Sequence, residues 1–315
     1  MPNKGKFYLG IDLGGTEVKI AITDENGGII DQKNVRNSAD STPEAIIGAI
    51  ITQTRSMKDL KRVSGTGVGV AGDIDQEKGV VRFSPNLPKW KNVRLKKMLK
   101  ASLPQPIVID NDANAAAWGA YWLDAKGEAK NLICVTLGTG VGGGLILDEK
   151  LYKGSSGSAG EIGHISLNPF GLKCNCGNTG CLERYVGSKY LSEQGREAVK
   201  MGKSTILSRL VNGKLDEITP LILHRAAMMG DKAAKRIWEI TGERLGIVLA
   251  GVINLINPEI IVLAGGVSKA DDLLLKPIRK TIRLRAFTKP AQSCKIIISK
   301  YTQKLGVVGA AFLVR

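Results

Sequence analysis

Three cysteines crowd one glycine-rich loop in the stretch GEIGHISLNPFGLKCNCGNTGCLE, and a histidine precedes them on the same segment: His164, Cys174, Cys176 and Cys181. Three thiolates and one imidazole make a standard tetrahedral zinc set. Because protein fills all four positions, the ion would be structural rather than catalytic. The competing reading joins two cysteines as a disulfide and leaves one thiol over. That fits poorly with a chain that opens on a strand-like run without a secretory apolar region. Glu161 stands three residues before His164 and Glu183 two after Cys181, so one metal would tie together two segments that each carry a carboxylate. Both side chains can accept hydrogen bonds from substrate hydroxyls, and both are equally compatible with a solvated surface.

A second constellation lies in VIDNDANAAAWGAYW, where an apolar strand gives way to an alanine-rich helix with Asp110, Asn111 and Asp112 at the junction. Asp112 suits two roles there. It can cap the helix by accepting its first free N–H groups, or it can act as a base at a strand end facing a crevice. The roles agree on charge, since a helix N-terminus favours the carboxylate over the acid. An ionised aspartate can then take the proton of a substrate hydroxyl during phosphoryl transfer.

Two glycine-rich turns supply candidate phosphate sites. In FYLGIDLGGTEVKIAIT the turn residues Gly14, Gly15 and Thr16 lie between two strands, the second alternating Val18, Ile20 and Ile22 with other residues. A Rossmann or Walker loop would lead into a helix instead, so both those nucleotide folds lose ground. Glycines that adopt positive φ let consecutive N–H groups converge on an anion, although a plain hairpin turn has the same composition. The construction recurs in NLICVTLGTGVGGGLILDEKLY, whose loop spans Gly138, Thr139, Gly140 and Gly142 to Gly144. Two such hairpins suggest a duplicated α/β unit, with a nucleotide held between the halves.

The frame for these groups has to be large. At 315 residues the chain favours two domains and a cleft, and 43% apolar with 23% charged residues is the composition of a globular protein. The absence of a leader or a membrane-length apolar run makes a cytoplasmic protein the expectation. The net charge of +16 is spread along the chain except for one dense patch at Lys89 to Lys100. There Leu95, Met98 and Leu99 fall at helical spacing, so the lysines read as the solvated face of an amphipathic helix rather than a nucleic-acid site. His224, in LILHRAAMMG, and the apolar-flanked Cys134 and Cys294 read as packed or surface groups.

The sequence resembles the ROK family of sugar kinases and sugar-responsive repressors, within the hexokinase-actin-Hsp70 fold group. The likeness is carried by IDLGGTEVKIAI, VGVAGDID, SPNLPKW, DNDANAAAWG, LGTGVGGGLI, GEIGHI, CNCGNTGCLE, INLINPEIIVLAGGV and LGVVGAAFL. It implies an α/β, two-domain duplicated, ribonuclease H-like fold with an interdomain cleft that closes on sugar and Mg-ATP. Asp112 would be the base toward the 6-hydroxyl of a hexose, most simply glucose. Gly72, Asn86, Asn111, Glu161, His164 and Glu183 would line the sugar site, one ring nitrogen of His164 facing zinc and the other a sugar hydroxyl. Asp12, Gly14, Gly15, Thr16, Gly138, Thr139, Gly140 and Gly142 would surround the phosphates, Asp12 holding magnesium through water, and Gly265 and Gly266 would form the adenosine motif.

The expected small domain covers residues 1–114 and is rejoined by 300–315. The large domain, 115–299, would carry the zinc loop and the surface of a homodimer or homotetramer. Asp110, Ala71 and Lys89 stand where the family often has glutamate, proline and glycine, which bears on sugar identity more than on catalysis. N-acetylmannosamine, N-acetylglucosamine or fructose would be the alternative acceptors, and polyphosphate an alternative donor. A DNA-binding regulator would need a helix-turn-helix, for which the dozen or so residues before Gly14 are too few.

Overall fold

A computed structural model describes residues 5–38 and 40–315. The first hairpin forms as its period-two pattern predicts: β1 (Phe7–Leu13) and β2 (Glu17–Thr23) pair antiparallel from Tyr8–Thr23 to Leu13–Val18, with Val18, Ile20 and Ile22 fully buried. The half-exposed β3 (Ile29–Arg36) follows as an edge strand. Helix α1 (Pro43–Arg55) is capped by the Thr42 side chain, which accepts from the Ala45 N–H, and has proline in its first turn. Strand β4 (Val63–Val70) then joins β1 in parallel.

A small sheet of β5 (Asp73–Asp75), β6 (Val80–Phe83) and β7 (Lys91–Val93) comes next, followed by α2 (Leu95–Lys100). This helix buries Leu95 and Leu99 and turns most of its lysines outward, which explains the basic patch as a solvated face. Strand β8 (Ile107–Asn111) pairs with β4 and leads directly into α3 (Asp112–Leu123).

The remaining chain supplies β9 (Leu132–Leu137), β10 (Val141–Leu147) and β11 (Lys150–Tyr152), then α4 (Glu183–Val186), α5 (Ser188–Lys200), α6 (Leu207–Leu210), α7 (Pro220–Met228) and α8 (Lys232–Ile256). It ends with β12 (Ile260–Ala264), α9 (Asp272–Arg285), α10 (Thr288–Ser293), β13 (Lys295–Ile298) and α11 (Leu305–Phe312). The large sheets run β3-β2-β1-β4-β8 and β11-β10-β9-β12-β13. Counted within its own set, each follows the order third, second, first, fourth, fifth, so the duplication suggested by the two glycine-rich hairpins is present in the topology.

The second turn is shorter than the sequence suggested. Gly142 to Gly144 belong to β10, and the turn proper is Gly138 to Gly140, closed by the Gly138 N–H donating to the Gly140 carbonyl at 2.9 Å. Gly144 is kept small by packing, since a Cβ there would lie 2.5 Å from the Ala117 methyl.

The chain folds into two compact units. One comprises the residues up to Cys134 with Gly144–Gly160 and Lys300–Arg315, the other Val135–Gly143 with Glu161–Ser299. In the first unit α11 returns to cover β1, packing Val307, Val308, Ala311 and Phe312 against Tyr8 and Ala21. It meets α3 at backbone distance, because a Cβ on Gly309 would overlap the Ala115 carbonyl. Trp118 locks the pair by donating its indole N–H to the Phe312 carbonyl at 2.9 Å. Among the described residues no helix is long and apolar enough to cross a membrane.

Candidate active site and metal centre

The β8–α3 junction places Asn111 and Asp112 differently from the simplest reading. Asn111, not Asp112, is the N-cap: its backbone is extended and its side-chain oxygen accepts from the N–H groups of Ala113 at 2.8 Å and Asn114 at 3.3 Å. The Asn111 amide donates to the Gly72 carbonyl at 3.1 Å. Gly72 has φ +136°, a region closed to most side chains, and a Cβ would overlap the Phe83 carbonyl. Asp112 is thus the first helical residue, with Oδ1 accepting from the Ala113 N–H at 3.0 Å. With the capping duty taken by its neighbour, its partly exposed carboxylate stays at the positive end of α3.

The first glycine turn meets the sugar-site candidates from another side. A Cβ on Gly15 would fall 2.8 Å from the Cβ of Asn86, so the turn and Asn86 are in contact. Neither Gly14 nor Gly15 has positive φ. Gly15 is needed for that close approach, and a Cβ on Gly14 would lie 2.9 Å from the Glu17 carbonyl oxygen, so neither serves an unusual backbone conformation. Asn37, which sequence reasoning missed, holds the turn from outside. Its side-chain amide donates to the Gly14 carbonyl at 2.8 Å and its backbone N–H to the Thr16 carbonyl at 2.9 Å. Asp12, on β1 opposite Lys19, has its carboxyl pushed above the ordinary 3.8 by burial, with Lys19 opposing the shift and Glu17 adding to it.

In the second unit the short turn and Glu183 form one cluster. Glu183 begins α4 and its Oε2 accepts from the Val141 N–H at 3.0 Å, in the space that a side chain on Gly140 would need. The residue is therefore not a free surface glutamate. The Ser188 N–H donates to the Gly138 carbonyl at 2.8 Å, so the chain after α4 also anchors the turn. Gly265, with φ +95°, lies against the backbone of Leu137 at the base of the same turn, and the space a side chain on Gly266 would take is open.

His164 ends a single helical turn, Ile162–His164, that Glu161 precedes. Its Nδ1 lies 3.9 Å from Cys174 Sγ and its Nε2 lies 3.8 Å from a carboxylate oxygen of Glu161. Cys176 Sγ and Cys181 Sγ are 3.6 Å apart, and the ligand atoms of all four residues lie within 4.8 Å of one another. A disulfide needs about 2.05 Å. Two sulfurs at about 2.3 Å from a tetrahedral zinc lie roughly 3.8 Å apart, and sulfur to nitrogen roughly 3.6 Å. The donor set therefore fits a tetrahedral ion and not a disulfide. Burial, with the neighbouring thiols Cys176 and Cys174, pushes the Cys181 thiol up to about 12, a cost that a bound cation would reverse by favouring thiolate.

A model of the ROK family matches residues 8–315. The chain belongs to the ROK family. Among ROK relatives is a glucokinase from Streptomyces coelicolor, 34% identical over 312 residues, with 98% of this chain and 97% of the relative aligned. A xylose repressor from Caldicellulosiruptor bescii is 32% identical over 312 residues, covering 97% of this chain and 77% of the repressor. A solved ROK family glucokinase from Streptomyces griseus, in complex with glucose and AMPPNP, superposes with TM-score 0.85 at 34% identity, covering 98% of each chain.

Two expectations follow. Protein purified from zinc-containing medium should carry about one zinc per chain, by elemental analysis. Cys176→Ser should lose it; retention of full metal content by that variant would contradict the Cys3His assignment. For Asp12, a raised folded value means that the carboxyl is protonated in folded and unfolded chains alike at low pH. As pH rises the unfolded chain ionises first, and stability falls. Asp12→Asn should therefore raise the melting temperature of the ligand-free protein at pH 7, by an amount that shrinks as pH falls toward 4. An equal effect at both pH values would show that burial of the charge is not the cause.

Proposed function

We propose that the chain is an ATP-dependent hexokinase, with glucose as acceptor and Asp112 as the base that takes the proton from the 6-hydroxyl. The observation that carries this reading is the division of labour at the start of α3. Asn111 caps the helix and binds Gly72, while Asp112 keeps a carboxylate at the helix N-terminus. The similarity to glucokinases of nearly equal length supports the acceptor.

In this reading Gly72, Asn86, Asn111, Glu161, His164 and Glu183 hold sugar hydroxyls. Asn86 offers both donors and an acceptor, Asn111 its second amide N–H, while the carboxylates accept. Glu183 has one oxygen on Val141 and so is fixed before substrate arrives. The backbone of Gly14, Gly15 and Thr16, and of Gly138, Thr139, Gly140 and Gly142, receives the phosphates, with the adenosine against Gly265 and Gly266. A half-buried carboxyl at Asp12 suits a magnesium ion carried by the nucleotide, which would neutralise charge on the phosphates. Zinc held by His164, Cys174, Cys176 and Cys181 would have no chemical role and would fix the His164 ring and the loop that leads to Glu183.

Asp112 takes the hydroxyl proton as the oxygen attacks the terminal phosphorus in line, and ADP leaves. The similarity to xylose repressors favours a second reading, a protein that senses sugar without turning it over. Turnover separates the two. Asp112→Asn should leave the KM for sugar and nucleotide within a few-fold of wild type and lower kcat by about 10²–10⁴. A variant near the wild-type rate would remove the base assignment.

A further inference from the structure

Asp110 has no exposure to solvent. Its Oδ1 accepts from the Asn111 N–H at 2.8 Å and from the Asn114 side-chain amide at 2.9 Å, with the Gln76 amide at 3.5 Å. Its Oδ2 lies 2.7 Å from Lys153 Nζ. A carboxylate withdrawn from water is tolerated only when it is both paired and hydrogen-bonded, and Lys153 is the cation that pairs it.

Lys153 comes from the loop after β11, and that loop is closed on itself by the Ala159 N–H donating to the Lys153 carbonyl at 3.0 Å. A second fastening lies further along, where the Gln76 amide donates to the Gly157 carbonyl at 3.0 Å. Gly157 has φ +84°, and a Cβ there would stand 2.5 Å from the Gln76 side chain, so the loop is pressed onto its anchor. From Gly160 the chain runs directly into Glu161 and His164. On the opposite side of the pair, Asp110 is the residue before Asn111 and Asp112.

We propose that the Lys153–Asp110 ion pair is a positioning device for sugar recognition, tying the strand end that presents Asn111 and Asp112 to the loop that delivers Glu161. Lys153 touches neither reacting group; it acts through Asp110. The inference rests on the hexokinase reading and adds to it a residue whose loss separates the two substrates. In that reading Asn111 and Asp112 follow Asp110 in the chain, and Glu161 and His164 follow the loop that carries Lys153. The glycine turns that receive the nucleotide are held by other contacts, through Asn37 and Glu183. Misplacement by about 1 Å is enough for large losses of productive binding.

The test compares Lys153→Met, Lys153→Arg and the double variant Lys153→Met with Asp110→Asn. It measures glucose affinity by calorimetry, KM for glucose and for ATP, and melting temperature. Lys153→Met should raise the glucose KM and Kd roughly tenfold or more, leave the ATP KM within twofold and lower the melting temperature. Lys153→Arg should restore both affinity and stability. The double variant removes the stranded buried charge, so its melting temperature should recover while its glucose affinity stays weak.

Joint recovery of stability and glucose affinity in the double variant would reduce the pair to a structural role and overturn the proposal. Wild-type glucose affinity in Lys153→Met, or equal losses toward glucose and ATP, would overturn it as well. A wild-type protein that neither binds nor phosphorylates glucose would instead remove the functional reading, and this inference with it.

Discussion

The first unit depends on how closely two helices and a sheet can approach. Side chains on Gly309 or Gly67 would overlap carbonyls of the neighbouring element, so α11 lies on α3 and on β4 with nothing between the backbones. A Cβ on Gly69 would lie 3.5 Å from the Cα of Asp112, and one on Gly306 would meet the Asp12 carboxylate. One packing arrangement thus fixes the position of the proposed base and of the acidic group on β1. Interiors packed this tightly do not accommodate added atoms without strain, typically about 1–3 kcal/mol. The alanine and glycine content of DANAAAWGA and LGVVGAA is the sequence expression of that demand.

Polar groups then refine what packing sets. Asn111 takes the cap position and leaves Asp112 as the first helical residue, and Glu183 holds Val141 while filling the space beside Gly140. Asp110 is charged, fully buried and paired with a lysine beyond β11. Each of these contacts has a stability cost if half of it is removed, because a stranded buried polar group loses its hydration without return. They are therefore rigid points, which is what orientation of a substrate at the proposed site would require.

Much of this was legible in the sequence where the signal is local. The strand–turn–strand patterns gave both hairpins, the Cys and His spacing gave a set whose atoms converge within 4.8 Å, and the leucine spacing at Leu95 and Leu99 gave a short helix with a lysine face. The sequence misled where two residues competed for one local role. Asn111 and Asp112 are both good caps, and only the backbone geometry shows which one turns into the helix. Glycine carries several meanings, so Gly14 and Gly15 looked like positive-φ residues, but Gly15 is small to admit Asn86 and Gly14 lies close to the Glu17 carbonyl. Gly142 to Gly144 looked like loop and are strand. Asn37, Gln76 and Lys153 bear no motif at all. Their side chains matter through partners 23 to 81 residues away, a separation no periodicity can report.

The central claim is that these parts serve phosphorylation of a hexose at its 6-hydroxyl, with glucose preferred. The most direct measurement is ADP release from ATP over glucose, fructose, N-acetylglucosamine and N-acetylmannosamine, with the product position read by phosphorus and carbon NMR. The account predicts the highest kcat/KM for glucose and a phosphate on its sixth carbon. No turnover of any sugar, or a better substrate than glucose, would contradict it.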